Sequence, residues 1–339
     1  MPAVKSTAQP AIRKRTLWFY LKVFLLSVGV LVLVLVLVGA AFQSVSTNRD
    51  SRRLVAPGRM IDMGGYQLHL ECKGTSAGTA DDITVILESG LGSTTSSWAR
   101  IQDQVARSTR VCSYDRGGIG WSDPSPRPRD AVSIANELLE LLRRAEIYGP
   151  LVMVGHSSGG LYARAFQARF PERVVGLVLL DASHEDQFAR TPDGEANYRM
   201  IKNAYAILPF AARVGLARLT PLCDLPQDFP ADARSDHHAT CSRTDTWKAQ
   251  QLEVESLVDA MAQVRERSAL GDLPLVVVTA GNDPQSLDNW LNLQNELAAL
   301  STKSTHLVRA DATHPGLLLK AEDAAYVSTA IKNLVESIH

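Results

Sequence analysis

Ser157 lies between two glycines in the stretch Val154–Gly160, "VGHSSGG". The apolar run "LVMV", typical of a buried strand, precedes it, and the helical pattern "LYARAFQARF" follows it. Gly155 and Gly159 allow a strand and a helix to approach where side chains would collide. Such a turn exposes the serine hydroxyl at the sheet edge, and the helix N-terminus behind it favours negative charge. The pattern predicts a serine nucleophile rather than a glycine-rich packing turn.

The segments around this turn predict an α/β fold. A hairpin is expected around Gly64 and Gly65, with the arms "RMIDM" and "YQLHLEC". Six apolar runs follow, separated by amphipathic stretches: Ile83–Ser89, Arg110–Asp115, Leu151–Ser157, Val174–Asp181, Leu273–Ala280 and Thr305–Ala310. Runs rich in valine and leucine suit a sheet that is covered on both faces. The order predicts a mostly parallel, eight-stranded, doubly wound sheet.

One long interval interrupts the alternation of strands and helices. Between Asp181 and Leu273 the sequence has helical patterns, interrupted at Pro209 and Pro221, and no clear strand. We therefore expect a helical cap at residues 184–270, inserted into an α/β core of residues 57–183 and 271–339.

The N-terminal region predicts one transmembrane helix. Val23–Phe42 is 20 residues without a charge, and as a helix it would span about 30 Å, the thickness of a bilayer's hydrocarbon core. Such a run is too long for an ordinary buried strand. Basic residues precede it, at Lys5, Arg13, Lys14, Arg15 and Lys22.

Basic residues of this kind stay on the cytoplasmic side of a membrane. Residues 1–22 are therefore expected to lie in the cytoplasm. Residues 43–56 are expected to form a linker. The bulk of the chain would lie outside a cell inner (cytoplasmic) membrane. A cleaved signal peptide is the alternative, because Gly39, Ala40 and Ala41 end the run, but its apolar part is normally shorter.

Composition restricts the classes of partner. The 339 residues are 45% hydrophobic and 21% charged, with a net charge of −1. Nothing in this balance predicts binding of nucleic acid. The sequence has no cluster of metal-ligand type, and its four cysteines form no C-x-x-C pair. No metal or cofactor is therefore expected.

From about Pro57 onward the sequence resembles the α/β-hydrolase family. The stretches that carry the resemblance are "LESGLGSTTSSW", "VCSYDRGGIGWSDPSP", "GHSSGGLYARAF", "LVLLDASHED" and a late "THPG", in the family's order. They resemble a bacterial subgroup that is loosely related to proline iminopeptidases and small esterases. The presence of serine at position 157, where other branches have aspartate, argues against epoxide hydrolase or haloalkane dehalogenase chemistry.

The resemblance implies a Ser-His-Asp triad with the histidine last in the chain. His314 fits, because it follows the final strand in "ADATHPG". His306 lies within that strand and is expected to pack in place. The side chain of His156 is expected to point away from the hydroxyl. His237 and His238 fall in the cap.

Two aspartates are candidates for the acid of the triad. Asp283, in "TAGNDP", occupies the usual place in the family, although its spacing is one residue short. Asp181 closes the sixth strand, a position that a minority of the family uses. Either could instead cap a helix or form a turn.

The resemblance also assigns an oxyanion hole. The backbone N–H groups of Leu91, after "SG", and of Ser158 would bind the tetrahedral intermediate. "DRGGIGWSD", Asp115–Asp123, lacks the spacing of a dinucleotide fingerprint and is expected to be a structural loop. The family's strand order implies a Cys72–Cys112 disulfide, and the cap a Cys223–Cys241 disulfide.

The function expected from these features is that of a membrane-anchored serine hydrolase of carboxylic esters. The shared chemistry leaves an aminopeptidase or amidase open, in which an acidic group would hold the substrate amine. The acidic groups available in the cap are Glu185, Asp186, Asp193 and Glu195. A hydrolase-like protein that only binds a ligand is the non-enzymatic alternative.

Overall fold

The computed structural model describes residues 11–75, 82–266, 269–282 and 287–338. Within them, eight strands form one sheet in the order β1-β2-β4-β3-β5-β6-β7-β8. The strands are β1 (Arg59–Asp62), β2 (Gln67–Lys73), β3 (Thr84–Glu88), β4 (Arg110–Tyr114), β5 (Leu151–His156), β6 (Val174–Leu180), β7 (Leu275–Ala280) and β8 (Ser304–Arg309). Strand β2 is antiparallel to both β1 and β4, and the other pairings are parallel. The prediction of a mostly parallel, eight-stranded sheet is confirmed.

Helices cover both faces of the sheet, as the apolar strands require. The helices outside the inserted segment are α1 (Ala11–Arg53), α2 (Ala99–Val105), α3 (Ala131–Arg144), α4 (Gly159–Arg169), α11 (Leu287–Ala299), α12 (Gly316–Leu319) and α13 (Ala321–Ile338). Leu138 and Phe166 are buried in the core on one face, and Ile101 and Ile331 in the core on the other.

Helix α3 illustrates how local sequence sets these elements. The side chain of Asp130 accepts a hydrogen bond from the backbone N–H of Ser133 and so caps the first turn. Ile134, Leu138 and Leu141 then recur on the helix face that is buried. The helix therefore begins at its cap and packs its apolar face on the sheet.

The segment between β6 and β7 forms six α-helices in the described residues. They are α5 (Gln187–Arg190), α6 (Gly194–Arg213), α7 (Leu216–Leu219), α8 (Ala231–Cys241), α9 (Thr244–Glu255) and α10 (Leu257–Arg265), and we call them the cap helices. Helix α10 differs from the rest, because Leu257, Met261 and Val264 join the main core with α3 and α4. The inserted segment is thus helical as predicted, but its last helix packs beside the sheet's own helices.

Helix α1 is a candidate membrane span by its length and composition. Its apolar side chains between Leu17 and Val38 are largely exposed. The helix does not end with the apolar run at Phe42 but continues through Arg53, so most of the expected linker is helical. Gln43 and Asp50 make contacts with the cap helices that hold this continuation in place.

The two disulfides match the pairing that the resemblance implied. Cys72 on β2 lies directly opposite Cys112 on β4, and Cys223 is joined to Cys241 of α8. The first bridge links two neighbouring strands, and the second closes a loop within the cap helices.

His237 on α8 generates a prediction about stability and pH. Its buried ring contacts the Thr94 hydroxyl at 3.0 Å, between a cap helix and the core, and burial lowers its pKa to about 4. The unfolded chain takes up a proton below about pH 6.5 while the folded protein does not. This contribution to stability is therefore complete above pH 6.5 and is lost as the pH falls toward 4. When the pH is lowered from about 7 to about 5, the unfolding free energy of both proteins should fall. We expect the fall to be about 2 kcal/mol smaller for His237→Gln than for the wild type.

Urea titrations of the detergent-solubilised chain at the two pH values measure this difference. His238→Gln, on the same helix, controls for the change of residue type. Equal losses in the wild type and His237→Gln would contradict the assignment of this proton uptake to His237.

Candidate functional site

Ser157 occupies a sharp turn between β5 and α4. Its φ is +56°, a left-handed conformation that non-glycine residues rarely adopt. A Cβ on Gly155 would lie 2.6 Å from the carbonyl oxygen of Gly159, and a Cβ on Gly159 would lie 2.3 Å from that of Glu88. The turn therefore requires glycine at both flanking positions, as the sequence indicated. The strained geometry presents the serine at the carboxyl edge of the sheet.

His314 lies in the loop after β8 and contacts Asp181, which follows β6. The distance from His314 Nδ1 to Asp181 Oδ2 is 2.6 Å. Because an ionised carboxylate only accepts hydrogen bonds, Nδ1 carries the proton of the neutral ring and Nε2 is left to accept one. The structure thus brings Asp181 to His314, while Asp283, the other candidate, lies outside the described residues.

Further hydrogen bonds hold the Asp181 carboxylate in place. Its side chain is 2% exposed, and Oδ1 accepts hydrogen bonds from Trp290 Nε1 at 2.7 Å and the Ala280 N–H at 3.2 Å. Asp181 also has a positive φ, +44°. The carboxylate is therefore fixed by β7 and α11 as well as by its own strand. No local pattern in the sequence marks Trp290 as a partner of Asp181.

His156, beside Ser157, contacts the same imidazole. Its ring lies 4.6 Å from the His314 ring, and its Nε2 is 3.1 Å from the His314 carbonyl oxygen. Burial, and next the neighbouring His314, lower the pKa of His156. A neutral His156 therefore packs against His314 and its backbone, a contact that the sequence did not predict.

The other histidines lie elsewhere. His306 on β8 contacts Thr279 and Asn295, each at 2.7 Å, and packs in place as predicted. His237 and His238 do not line the cavity at Ser157 in the described structure.

Ser157, Asp181 and His314 line one cavity of about 340 Å³. Helices α5 and α6 close one side of it with apolar side chains, among them Phe188 and Ile201. The cavity is therefore bounded by the sheet edge and the cap helices. An acyl chain or another apolar group fits such a lining.

The loop after β3 passes directly against the serine. A Cβ on Gly90 would lie 2.8 Å from Ser157 Cβ, so the loop can approach only with glycine at this position. Among the hydrogen bonds of the described residues, the backbone N–H groups of Leu91 and Ser158 have no acceptor. An oxyanion hole requires two such donors directed at the same oxygen, and this role for Leu91 and Ser158 stays a prediction.

A buried charge network holds this loop. Arg116 Nη1 donates to the Ser89 carbonyl at 2.7 Å and to Glu88 at 2.6 Å, while its other nitrogens bind Glu253 of α9 at 2.8 Å. Burial raises the pKa of Glu88, and Arg116 opposes that shift. Arg129 and Glu137 extend the network. Arg116 belongs to a second loop, "DRGGIGWSD". Through Arg116, this second loop connects α9 of the cap helices to the loop after β3 at the sheet edge.

The four cap carboxylates considered for binding an amine do not line this cavity in the described residues. Glu185 is buried against Arg164 at 2.6 Å. Although burial opposes the shift, hydrogen bonds from Arg164 lower its pKa to about 2. Asp186 pairs with Arg265, and Asp193 and Glu195 are exposed.

Replacing Arg116 should test the charge network. Arg116→Met removes the guanidinium that lies between the buried Glu88 and Glu253 and leaves only Arg129, at 3.6 Å from Glu253. Removing one partner of a buried ion pair typically costs about 3–5 kcal/mol. We expect a loss of unfolding free energy of that size in urea titrations. Arg190→Met is the matched control, because Arg190 and its partner Glu296 are exposed, and we expect a much smaller loss. Equal losses would contradict a structural role specific to Arg116.

Comparisons with known proteins agree with this fold. Residues 83–321 match the model of the α/β-hydrolase fold family. An uncharacterized protein of Schizosaccharomyces pombe is 25% identical over 293 residues, 77% of this chain and 53% of the relative. An uncharacterized vacuolar membrane protein of Saccharomyces cerevisiae is 30% identical over 134 residues, 36% of this chain and 21% of the relative. The chain thus spans about half or less of the length of these two curated relatives.

Among solved structures, a thermophilic esterase from Thermogutta terrifontis superimposes with a TM-score of 0.59 at 20% identity, covering 83% of this chain and 98% of the esterase. This likeness concerns the fold. The family model covers most of the chain, and the strand order and the turn at Ser157 agree with the resemblance seen in the sequence. The chain belongs to the α/β-hydrolase family.

Proposed function

We propose that this chain is a membrane-anchored serine hydrolase that cleaves carboxylic esters through an acyl-enzyme. The observation that carries the proposal is the 2.6 Å contact between Asp181 and His314 in the cavity that Ser157 lines. A serine hydroxyl needs a neighbouring base to become a nucleophile. An imidazole whose Nδ1 proton is held by a carboxylate can act as that base through Nε2.

In the proposed reaction, the Ser157 hydroxyl oxygen attacks the ester carbonyl while His314 Nε2 takes the hydroxyl proton. The N–H groups of Leu91 and Ser158 bind the oxyanion of the tetrahedral intermediate. The intermediate collapses as the bond to the alcohol oxygen breaks, and the imidazolium returns the proton to that oxygen. Water then attacks the acyl-enzyme with His314 again as base, which releases the carboxylic acid and restores Ser157. Asp181 stabilises the imidazolium in both steps.

The cavity supports esters over aminoacyl substrates. An aminopeptidase would need a carboxylate to bind the substrate amine, and the candidate cap carboxylates lie outside the described cavity lining. Glu185 and Asp186 are also already paired with arginines. The aminopeptidase alternative therefore has less support than an esterase.

Membrane anchoring and orientation are part of the proposal. Helix α1 supplies the candidate span, and the basic residues before it favour a cytoplasmic N-terminus. The two disulfides support an oxidising compartment for the rest of the chain. We place the protein in the inner membrane as a single-pass protein with its catalytic part outside the cytoplasm.

Ser157→Ala tests the proposed nucleophile. A fluorophosphonate probe should label the wild type, and Ser157→Ala should abolish both labelling and hydrolysis of p-nitrophenyl esters, because the neighbouring hydroxyl, that of Ser158, is buried and does not line the cavity. Gel fluorescence and absorbance measure the two outcomes. An unlabelled wild type that binds esters without turnover would favour the non-catalytic alternative.

The acid is tested by a matched pair of substitutions. Asp181→Asn should reduce turnover about 10⁴-fold, because an amide cannot stabilise the imidazolium or hold its correct tautomer. Asp283→Asn, which removes the same charge, should stay close to the wild-type rate. Steady-state kinetics with p-nitrophenyl butyrate compares the two. A large loss in Asp283→Asn with an active Asp181→Asn would assign the acid to Asp283.

A further inference from the structure

A group of large apolar side chains is exposed on the cap helices near the end of α6 and in the segment that follows. Its members, the apolar surface, are Ile207, Phe210, Leu216, Leu219 and Leu222, each between 45% and 68% exposed. No aspartate or glutamate occurs between residues 203 and 223. Exposed apolar side chains this close together in the sequence are typical of a surface that contacts another molecule or a membrane.

The end of the candidate membrane span packs on the same segment. A Cβ on Gly39 would lie 2.5 Å from the Val214 carbonyl oxygen, and one on Gly215 would lie 2.9 Å from the Phe42 ring. The backbones of α1 and the α6–α7 connection therefore touch where the uncharged run Val23–Phe42 ends. Residues next to this contact lie at the depth at which α1 would leave a bilayer.

Polar contacts fix α1 beyond this point. Gln43 Nε2 donates to the Ser242 carbonyl at 2.7 Å, and Asp50 pairs with Arg218 of α7 at 2.7 Å. The cap helices therefore cannot rotate freely about the end of the span. The apolar surface keeps one orientation relative to α1.

Basic side chains lie close to the residues of α1 that directly follow or end its uncharged run. A polar cavity of about 450 Å³ separates residues 40–48 of α1 from the cap helices and is lined by Arg213, Arg243 and Lys248. Arg243 donates to the Gly120 carbonyl, and Lys248 is 3.6 Å from Asp245. Arg213 has no hydrogen bond or ion pair with any described residue. An exposed, unpaired arginine beside apolar side chains is the composition that binds the surface of an anionic bilayer.

We propose that the apolar surface and Arg213 dock on an anionic phospholipid bilayer, with the apolar side chains in the interfacial layer and the guanidinium at the phosphates. The inference rests on the membrane anchoring of the proposed function. The docking would also set the position of the Ser157 cavity relative to the membrane. Met200 of α6 is 64% exposed and at the same time lines this cavity. Helix α6 thus leads from the docked surface to the cavity rim.

Single-cysteine labels in the full chain test the docking. Both pairs of native cysteines form disulfides, so an introduced cysteine supplies the free thiol for an environment-sensitive NBD fluorophore. Labels at Phe210→Cys and Leu219→Cys are compared with labels at Val258→Cys and Val308→Cys. These two controls are exposed apolar residues of similar accessibility, on α10 and β8. Val34→Cys, within the apolar run of α1, is the reference for the membrane interior.

The proteins are reconstituted into phosphatidylcholine–phosphatidylglycerol vesicles that contain lipid-borne nitroxide quenchers. We expect a blue-shifted emission and quenching at positions 210, 219 and 34, and neither effect at 258 and 308. If the label at position 34 is quenched while the labels at positions 210 and 219 are as little quenched as the label at position 258, the docking is wrong and the anchoring stands. A blue shift at 210 and 219 without lipid quenching would mean that protein, such as a second copy, covers the surface, and would overturn the inference.

A separate outcome identifies failure of the anchoring itself. If the chain is extracted by alkaline carbonate and no label is quenched, including the label at Val34, the membrane part of the proposed function is wrong and the docking falls with it. Fluorophosphonate labelling of Ser157 does not depend on either result.

The charge requirement is tested in the Leu219→Cys background. Adding phosphatidylglycerol to phosphatidylcholine vesicles should increase quenching at 219, and Arg213→Gln should remove most of this increase. Arg107→Gln, which removes an exposed arginine in the turn after α2, is the matched control and should keep the increase. Loss of the increase in both variants, or in neither, would contradict a specific role for Arg213.

Discussion

The hydrogen bond between Asp181 and His314 is the interaction on which the site depends. It joins residues 133 positions apart, one at the end of β6 and one after β8. A carboxylate as buried as Asp181 is costly unless donors surround it, and here Trp290 and the Ala280 N–H supply two more. The sheet pairing that aligns β6, β7 and β8 is therefore what fixes the orientation of the imidazole.

A second constraint connects the cap helices to the sheet. Arg116 binds Glu253 of α9, Glu88 at the end of β3 and the carbonyl of Ser89. Ion pairs buried to this extent contribute little net stability, but they allow few alternative arrangements without an unpaired charge. The loop that carries Leu91 is therefore held by the same contacts that position the cap helices above the cavity.

Helix α1 and the cap helices form a continuous unit. The helix continues beyond its apolar run and makes close contacts at Gly39 and Phe42 and polar ones at Gln43 and Asp50. In the proposed function, this arrangement fixes the distance and orientation of the cavity relative to the membrane. A flexible linker at residues 43–56 would have left both undetermined.

The sequence alone determined much of this protein, because several features are encoded locally. Valine-rich runs predict buried strands, glycines on either side of Ser157 predict the turn, and 20 uncharged residues predict a membrane span. These patterns depend on side-chain periodicity and on steric limits within a few residues. The strand order implied by the family resemblance further identified the Cys72–Cys112 pair.

Only the tertiary structure decided which groups meet. Two aspartates were equally consistent with the sequence. The contact of Asp181 with His314 arises from the order of strands in the sheet, whereas Asp283 lies outside the described residues. The contacts of Trp290, His156 and Arg116 join distant segments, and no local pattern encodes them. Likewise, the packing of α1 on the cap helices depends on the approach of two backbones at Gly39. Periodicity reports which face of an element is buried, whereas the identity of its neighbour is set by the global packing of the chain.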